Sequence, residues 1–501
     1  LTNHLETSAT AYTFTAPRAE WGKAIIFFLA FALLGLSFYP ALLLVVVMLM
    51  QRWSSNRYDF VVELTLFIGG FGFMHPNVLP VKMADVGLAL GVASIFICRK
   101  SPMAKKLLRL MLLYVALVVL IASTSDEPMR VQFIMMRNYF YVFYFFVPFA
   151  VFANQPFSFD KLLHSITVHT LVICGLYAAD TYLLNALCLV PAAGHYLDPN
   201  FGTTYYSSVH RIIGTFNPLS LRWPRHYPYG VYWLLWLIIP IRSKQVRFSP
   251  GQWLLIALAV LSTRTATFMF GLVACYVCFS GNLKRVLRYA GIALVVLTGV
   301  YFADRATGGY VRLASTVDQF FSLNQAMDDE DVAEFASGRM AQILPKWELL
   351  TDLHRQWLGF GFLHPELTTN PKYQIANEYY IDVAKSDEVA TAVEETHVQT
   401  ILDIGFLGLI LQAAIFIAFY YALRRHRHAR YYLCMLIGFS LFGFGGFAGL
   451  ITRESLTMIG LAMAAIVLAE DKAERPTTLE NTTPEYLPIA NHSANTQKFI
   501  P

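Results

Sequence analysis

Four short patches hold residue types that can handle a phosphate ester. Arg211-Ile212-Ile213-Gly214-Thr215-Phe216-Asn217-Pro218 comes first, and Ser262-Thr263-Arg264-Thr265 second. Ser337-Gly338-Arg339 with Gly359-Phe360-Gly361 forms the third. The fourth opens at Glu395-Thr396-His397 and continues through Ile401, Asp403, Gly405 and Gly408. Arginine presents a fixed fork of donors that matches phosphate oxygens. Histidine can be neutral near pH 7 and can take a proton from an attacking hydroxyl. One candidate base with several arginines, and no H-E-x-x-H or clustered metal-ligand pattern, suits a displacement whose leaving group is already a phosphate ester. At a membrane, a lipid diphosphate is such a group. No phosphate loop of the G-x-x-x-x-G-K-[ST] type occurs, so ATP-driven transport is not expected. Cys275 and Cys278 form a C-x-x-C inside an apolar run with no second ligand pair, and read as small buried hydrophobes.

The elements that must position these patches follow from composition. The chain has 501 residues, 56% hydrophobic and only 14% charged, against roughly 45–50% and about 25% in soluble domains. That balance excludes a nucleic-acid binder, a disordered hub and a disulfide-stapled secreted module. Apolar stretches fall near 24–50, 60–74, 84–98, 107–123, 133–153, 162–190, 226–241, 252–279, 286–303, 398–422, 431–450 and 455–469. They are continuous rather than alternating, which predicts helices spanning lipid. The expected fold is therefore all-α, a polytopic transmembrane bundle of about 12–14 spans. Pro40 makes 24–50 either one kinked helix or a tight hairpin. Residues 1–23 are polar and hold no cleavable signal, so the first apolar run is expected to target the chain.

Charge assigns the sides. Basic clusters at Arg52/Arg57, Arg99–Arg109, Arg242–Arg247, Lys284–Arg288 and Arg424–Arg430 are expected inside. The connections 75–83, 124–132, 191–225, 304–396 and 451–454 then lie outside, with all four patches. Both clusters flanking 252–279 are inside, so this run must go out and return, at about 21 Å per arm. Arg264 is expected at the tip of that shallow hairpin, where an arginine held at depth marks a functional site. The domain reading is a polar segment 1–23, a bundle 24–303 with outer loop 191–225, an outer subdomain 304–396, spans within 397–469, and a disordered cytoplasmic tail 470–501.

Segment 304–396 holds sixteen acidic and seven basic residues and is expected to cap a membrane cavity. Within it Ile343, Trp347, Leu350 and Trp357 recur at helical spacing, predicting a helix on the interface with Pro345 as a break. His397, Ile401, Gly405 and Gly408 fall on one face of a helix entering lipid. The glycines predict close approach of a neighbouring helix, with the histidine end turned into the bundle. The aromatic run Tyr139–Phe149 reads as interface belt and core packing.

The ordered set R-x-x-G-T-F-x-x-P, S-x-R in a hairpin, G-R, G-x-G and H-x-x-x-I-x-D-x-G-x-x-G resembles the O-antigen ligase/polymerase family, the Wzy/WaaL type of bacterial membrane glycosyltransferases. The resemblance covers about 205–470; residues 1–200 match only in hydropathy. It implies an inverting, metal-independent transferase with a GT-C-like helical fold and no cofactor. Its donor would be an undecaprenyl-diphosphate-linked glycan, used at the periplasmic face of the bacterial inner membrane. The same resemblance makes His397 the general base. It makes Arg264, Arg339 and Arg211 the holders of the diphosphate, with Gly338, Gly361, Asp403 and Gly405 in support. The family commonly has Asn after this His; here Val398 follows, and Thr263 splits the serine–arginine pair. The acceptor would be a second lipid-linked glycan for a polymerase, or lipid A-core or a protein for a ligase. A precursor flippase is the rival class, predicting pseudo-symmetric repeats and helices broken at mid-membrane.

Overall fold

The computed structural model describes residues 12–35, 40–70, 83–98, 100–179, 229–262, 266–279, 339–363, 396–443 and 449–473, with scattered positions between 288 and 306. The all-α expectation holds: among the described residues the regular structure is helical apart from two strands of two residues each. Strand β1 (Tyr12–Thr13) precedes α1 (Arg18–Gly35), α2 (Pro40–Ser55) and α3 (Arg57–Gly70). Next come α4 (Met83–Ile97), α5 (Pro102–Ala122), α6 (Met129–Met136), a 3-10 segment (Arg137–Phe145), α7 (Phe146–Val151) and α8 (Phe159–Ala178). After α9 (Tyr229–Tyr232), α10 (Leu234–Arg242) and β2 (Val246–Arg247) come α11 (Pro250–Ser262) and α12 (Ala266–Cys278). Helix α13 (Arg339–Asp352) lies in the acidic segment. Helices α14 (Thr396–Leu423), α15 (Ala429–Phe442) and α16 (Arg453–Ala473) close the described chain.

The run 24–50 divides into α1 and α2, which pack on each other. Pro40 opens α2, where its missing N–H costs nothing. The run 252–279 also divides in two, α11 and α12, with Arg264 between them. These arms do not pair chiefly with each other: α11 lies on α8, and α12 on α15 and α10. Two helices, Phe159–Ala178 and His397–Leu423, are long and apolar enough to cross a membrane by themselves.

At the centre, α16 packs against the 3-10 segment, α15, α3 and α7. It is buried nearly all round, including Leu456, Ile459, Ala462 and Ile466, as a helix without a polar face must be. The run 133–153 is not a single helix. Its aromatic stretch Arg137–Phe145 winds as nine residues of 3-10 helix, where runs beyond 3–4 residues are uncommon. Glycines from both sides make room: a side chain at Gly91 or Gly460 would press on the backbone of Phe143 or Phe145. Tyr139, Tyr141, Tyr144 and Phe145 are buried there, so core packing rather than an interface belt describes them.

Contacts gather at two ends. At one, β1 runs parallel to β2, and Gln252 Nε2 donates to the Phe14 carbonyl at 3.4 Å. Arg57 there donates to the Val151 carbonyl at 2.7 Å, and His428 stacks on Phe159 at 3.8 Å. The basic clusters Arg52/Arg57, Arg242–Arg247 and Arg424–Arg430 flank these contacts. Just inside this end, α2, α3 and α8 share a buried charge network. Arg52 Nε and His169 Nε2 each lie 3.2 Å from Glu63 Oε1, and Ser165 Oγ donates to Asp59 at 2.7 Å. At the other end, residues 123–132, 353–363, 396–405, 440–443 and 449–454 meet. Arg453 binds Glu454 at 2.6 Å there, and Arg137 binds Asp85 at 3.0 Å.

Candidate active site

His397, the second residue of α14, is half-buried at the end away from the basic clusters. Its Nε2 lies 2.7 Å from the carbonyl of Ser440, in the last turn of α15. A carbonyl only accepts, so the proton sits on Nε2, and in the neutral ring Nδ1 carries the lone pair. Gly443 closes on the same ring: a Cβ there would come within 2.7 Å of Nε2. This capping contact fixes the tautomer and orients the imidazole, which a base requires.

The stripe from His397 to Gly408 is not one continuous helix face. At Gly405 the backbone turns to φ 67°, ψ −179° and breaks the ladder. In a straight helix Phe406 and Leu407 would donate to the carbonyls of Leu402 and Asp403. Instead they donate to the carbonyls of Gln356 and Trp357 at 2.9 and 3.1 Å. The released Leu402 and Asp403 carbonyls accept from Phe360 and Gly361 at 2.7 and 3.0 Å. Four bonds are thus exchanged between a helix and a turn. The glycines do permit close approach, but by this turn rather than by a neighbouring helix. A side chain at Gly405 would run into the Trp357 carbonyl, one at Gly359 into Asp403, and one at Gly361 into Ser125 and Gln132. Gly359, Gly361 and Gly405 all have positive φ, so the G-x-G and D-x-G motifs are two halves of one joint.

Helix α13 lies along the first turns of α14. Leu350, Phe360 and Leu402 form a small apolar core with Trp347, Val398 and Ile401 around it. The apolar stripe expected to rest on an interface therefore covers α14. The helix runs through Pro345 instead of breaking there, because packing on α14 outweighs the one hydrogen bond that proline removes. Trp357 lies beyond the helix, 62% exposed.

Asp403 is half-buried beside the joint and accepts from Gln399 Nε2 at 2.6 Å. Six residues after His397, it sits roughly 240° around the helix, toward Tyr139, Thr400 and Lys346. It does not reach His397. Lys346, on α13, is buried, and desolvation pushes its amine down to about 8 against the pull of the Asp403 carboxylate. Tyr139 packs on Phe362 at 5.1 Å. Lys346, Gln399, Tyr139 and Arg355 escaped sequence reasoning. The available signal for Arg355 was its position four residues before a Gly-x-Gly. For Lys346 it was a lone cation inside an apolar stripe.

Gly361, Asp403 and Gly405 are thus brought together, and His397 stands on the same short helical segment but on another face. Arg211, Arg264 and Gly338 lie outside the described residues, and of Arg339 only its place as first residue of α13 is described. Helix α12 begins two residues after Arg264. Its Phe268 meets Phe442 at 4.8 Å, next to the Gly443 that lines His397. Among the described residues no group of three or more His, Cys, Asp or Glu could hold a metal ion. Cys275 is buried and its thiol points at the Cys434 carbonyl at 3.8 Å, while Cys278 is exposed. No family model matches the chain, and no curated protein matches it significantly.

Proposed function

We propose that the chain is a polytopic membrane glycosyltransferase of the inner membrane of a bacterium, joining one undecaprenyl-diphosphate-linked glycan to another at the periplasmic face. The observation that carries this reading is His397: a histidine whose tautomer is set by a carbonyl, at the end of the bundle opposite the basic clusters, beside an anchored cap. Its Nδ1 would take the proton of the acceptor hydroxyl. The hydroxyl oxygen would then bond to the anomeric carbon of the donor with inversion, and the carbon–oxygen bond to the diphosphate would break. The electron pair leaves on the carrier diphosphate, which Arg264, Arg339 and Arg211 would hold and neutralise.

Insertion in lipid is supported by where apolar side chains point. Leu43, Met50, Phe96, Ile97, Leu254, Phe270, Ile410 and Tyr421 are exposed on outward faces, while Arg52, Glu63 and His169 are buried. A soluble protein reverses this pattern, and contiguous exposed apolar surface marks a membrane contact. The helices other than α8 and α14 would cross in company, tilted or paired, rather than as isolated spans. The sorting of basic clusters to one end supports the orientation.

Reconstitution with an undecaprenyl-diphosphate oligosaccharide tests the reaction. Elongated lipid-linked glycan, lost in Arg264→Ala and reduced in Arg339→Ala, is expected. Transfer only to lipid A-core would make the chain a ligase, and vectorial movement of intact donor without bond cleavage would make it a flippase.

A further inference from the structure

We propose that Arg355 is a positioning residue for His397, acting through the Gly359-Phe360-Gly361 turn that completes the broken helix α14. The proposal deepens the transferase reading above and rests on it for its kinetic consequence. Because the ladder is interrupted at Gly405, the segment 396–404 is not held in line by its own helix. Its orientation depends on the four bonds exchanged with residues 356–361 and on the core of Leu350, Phe360 and Leu402. What holds that turn therefore holds His397.

Arg355 is built into the turn from both sides. Its Nε donates to the Gly359 carbonyl at 2.6 Å, and its own carbonyl accepts from Leu358 and Gly359 at 3.1 and 2.7 Å. Its Nη2 reaches across to the end of α5, to the Thr124 carbonyl at 2.9 Å and the Thr124 Oγ1 at 3.3 Å. Ser125 Oγ donates to the Phe360 carbonyl at 2.5 Å beside it, and Gln132 Oε1 accepts from the Phe362 N–H at 3.3 Å. One guanidinium thus ties the turn to α5, and the turn ties the His397 segment to the rest of α14. A fork of this geometry makes both contacts at once, which an ammonium cannot. A shift of about 1 Å in a reacting group can cost on the order of 10²-fold in rate, so a slack turn would be felt at the imidazole without any change in what binds the donor.

The test uses the full chain in lipid nanodiscs, with Arg355→Ala and Arg355→Lys compared with the unsubstituted protein. Hydrogen exchange at the amides of Phe360, Gly361, Phe406 and Leu407 is expected to accelerate at least about tenfold, with α15 and α16 unchanged. In the transfer assay kcat should fall about 10- to 100-fold with donor KM within about twofold, and added guanidinium should restore part of the loss in Arg355→Ala. If Arg355→Ala does not fold, Arg355→Lys carries the same readings. Unchanged exchange at Phe406 and Leu407, or a kcat equal to that of the unsubstituted chain, would overturn the proposal. Absence of transfer by the unsubstituted chain would instead sink the transferase reading, and the exchange measurement would still decide whether Arg355 holds the turn.

Discussion

The His397 imidazole is oriented by a strong contact from Nε2 to the Ser440 carbonyl at 2.7 Å. Glutamine keeps a donor for that carbonyl but offers no basic nitrogen. His397→Gln is therefore expected to keep the fold and lower transfer by about 10²–10⁴-fold, as read by product formation at equal thermal stability. Lys346 makes a pH prediction. Burial lowers its folded-state value to about 8, below the unfolded value near 10.4, so between these limits the unfolded chain binds more protons. Stability must then rise as pH rises through that window. The stability difference between the unsubstituted chain and Lys346→Met should shift in favour of the former from pH 8 to about 10.5; a flat difference in thermal melts would count against a Lys346 amine lowered by burial. Residue types were legible where chemistry leaves a mark, as at His397. The partners were not: Ser440 offers only a backbone carbonyl, and Lys346 meets Asp403 across 57 positions of chain, which spacing cannot reveal.

Helix α14 shows how far periodicity carries. The stripe of His397, Ile401, Gly405 and Gly408 predicts a helix, and a helix is there. Whether a glycine serves close packing or a positive φ depends on what arrives from elsewhere, here the turn at 356–361. Gly405→Ala would place a Cβ against the Trp357 carbonyl at φ 67°. It should cost at least about 1–3 kcal/mol and speed exchange at Phe406, whereas Gly22→Ala, in open space, should be near neutral. The same limit explains Pro345 and the 3-10 run. Local chemistry argues for a break at the first and for a helix through the second, and packing against α14, α4 and α16 decides otherwise. The connection after α14 carries another pH signal. Burial, with Arg427 beside it, pushes His428 down to about 4, so its contribution is present above the unfolded value near 6.5 and is lost as pH falls toward 4. His428→Phe keeps the stacking on Phe159 and should remove that part of the acid sensitivity in thermal melts.

Across the whole molecule, the basic clusters are separate in the sequence from the His397 segment, which is the asymmetry a bilayer would impose on the proposed transferase. The buried network of Arg52, Glu63 and His169 was not legible there, since Arg52 reads as part of a basic cluster, Glu63 and His169 sit singly in apolar runs, and only packing of α2, α3 and α8 joins them. Glu63→Leu would leave Arg52 buried without its counter-charge and should destabilise the bundle by about 3–5 kcal/mol, read as a fall in melting temperature in detergent. Orientation is open to labelling: a cysteine at position 356 should react with a membrane-impermeant reagent in intact spheroplasts, and one at 425 only after permeabilisation. Chemistry is tested most directly by the release of undecaprenyl diphosphate from a lipid-linked oligosaccharide, followed in proteoliposomes holding only the purified chain. Release coupled to glycan elongation, slowed at least about 10²-fold in His397→Ala, is the expected result. A folded chain that releases no carrier diphosphate, or a His397→Ala variant that releases it at the unsubstituted rate, would contradict the account.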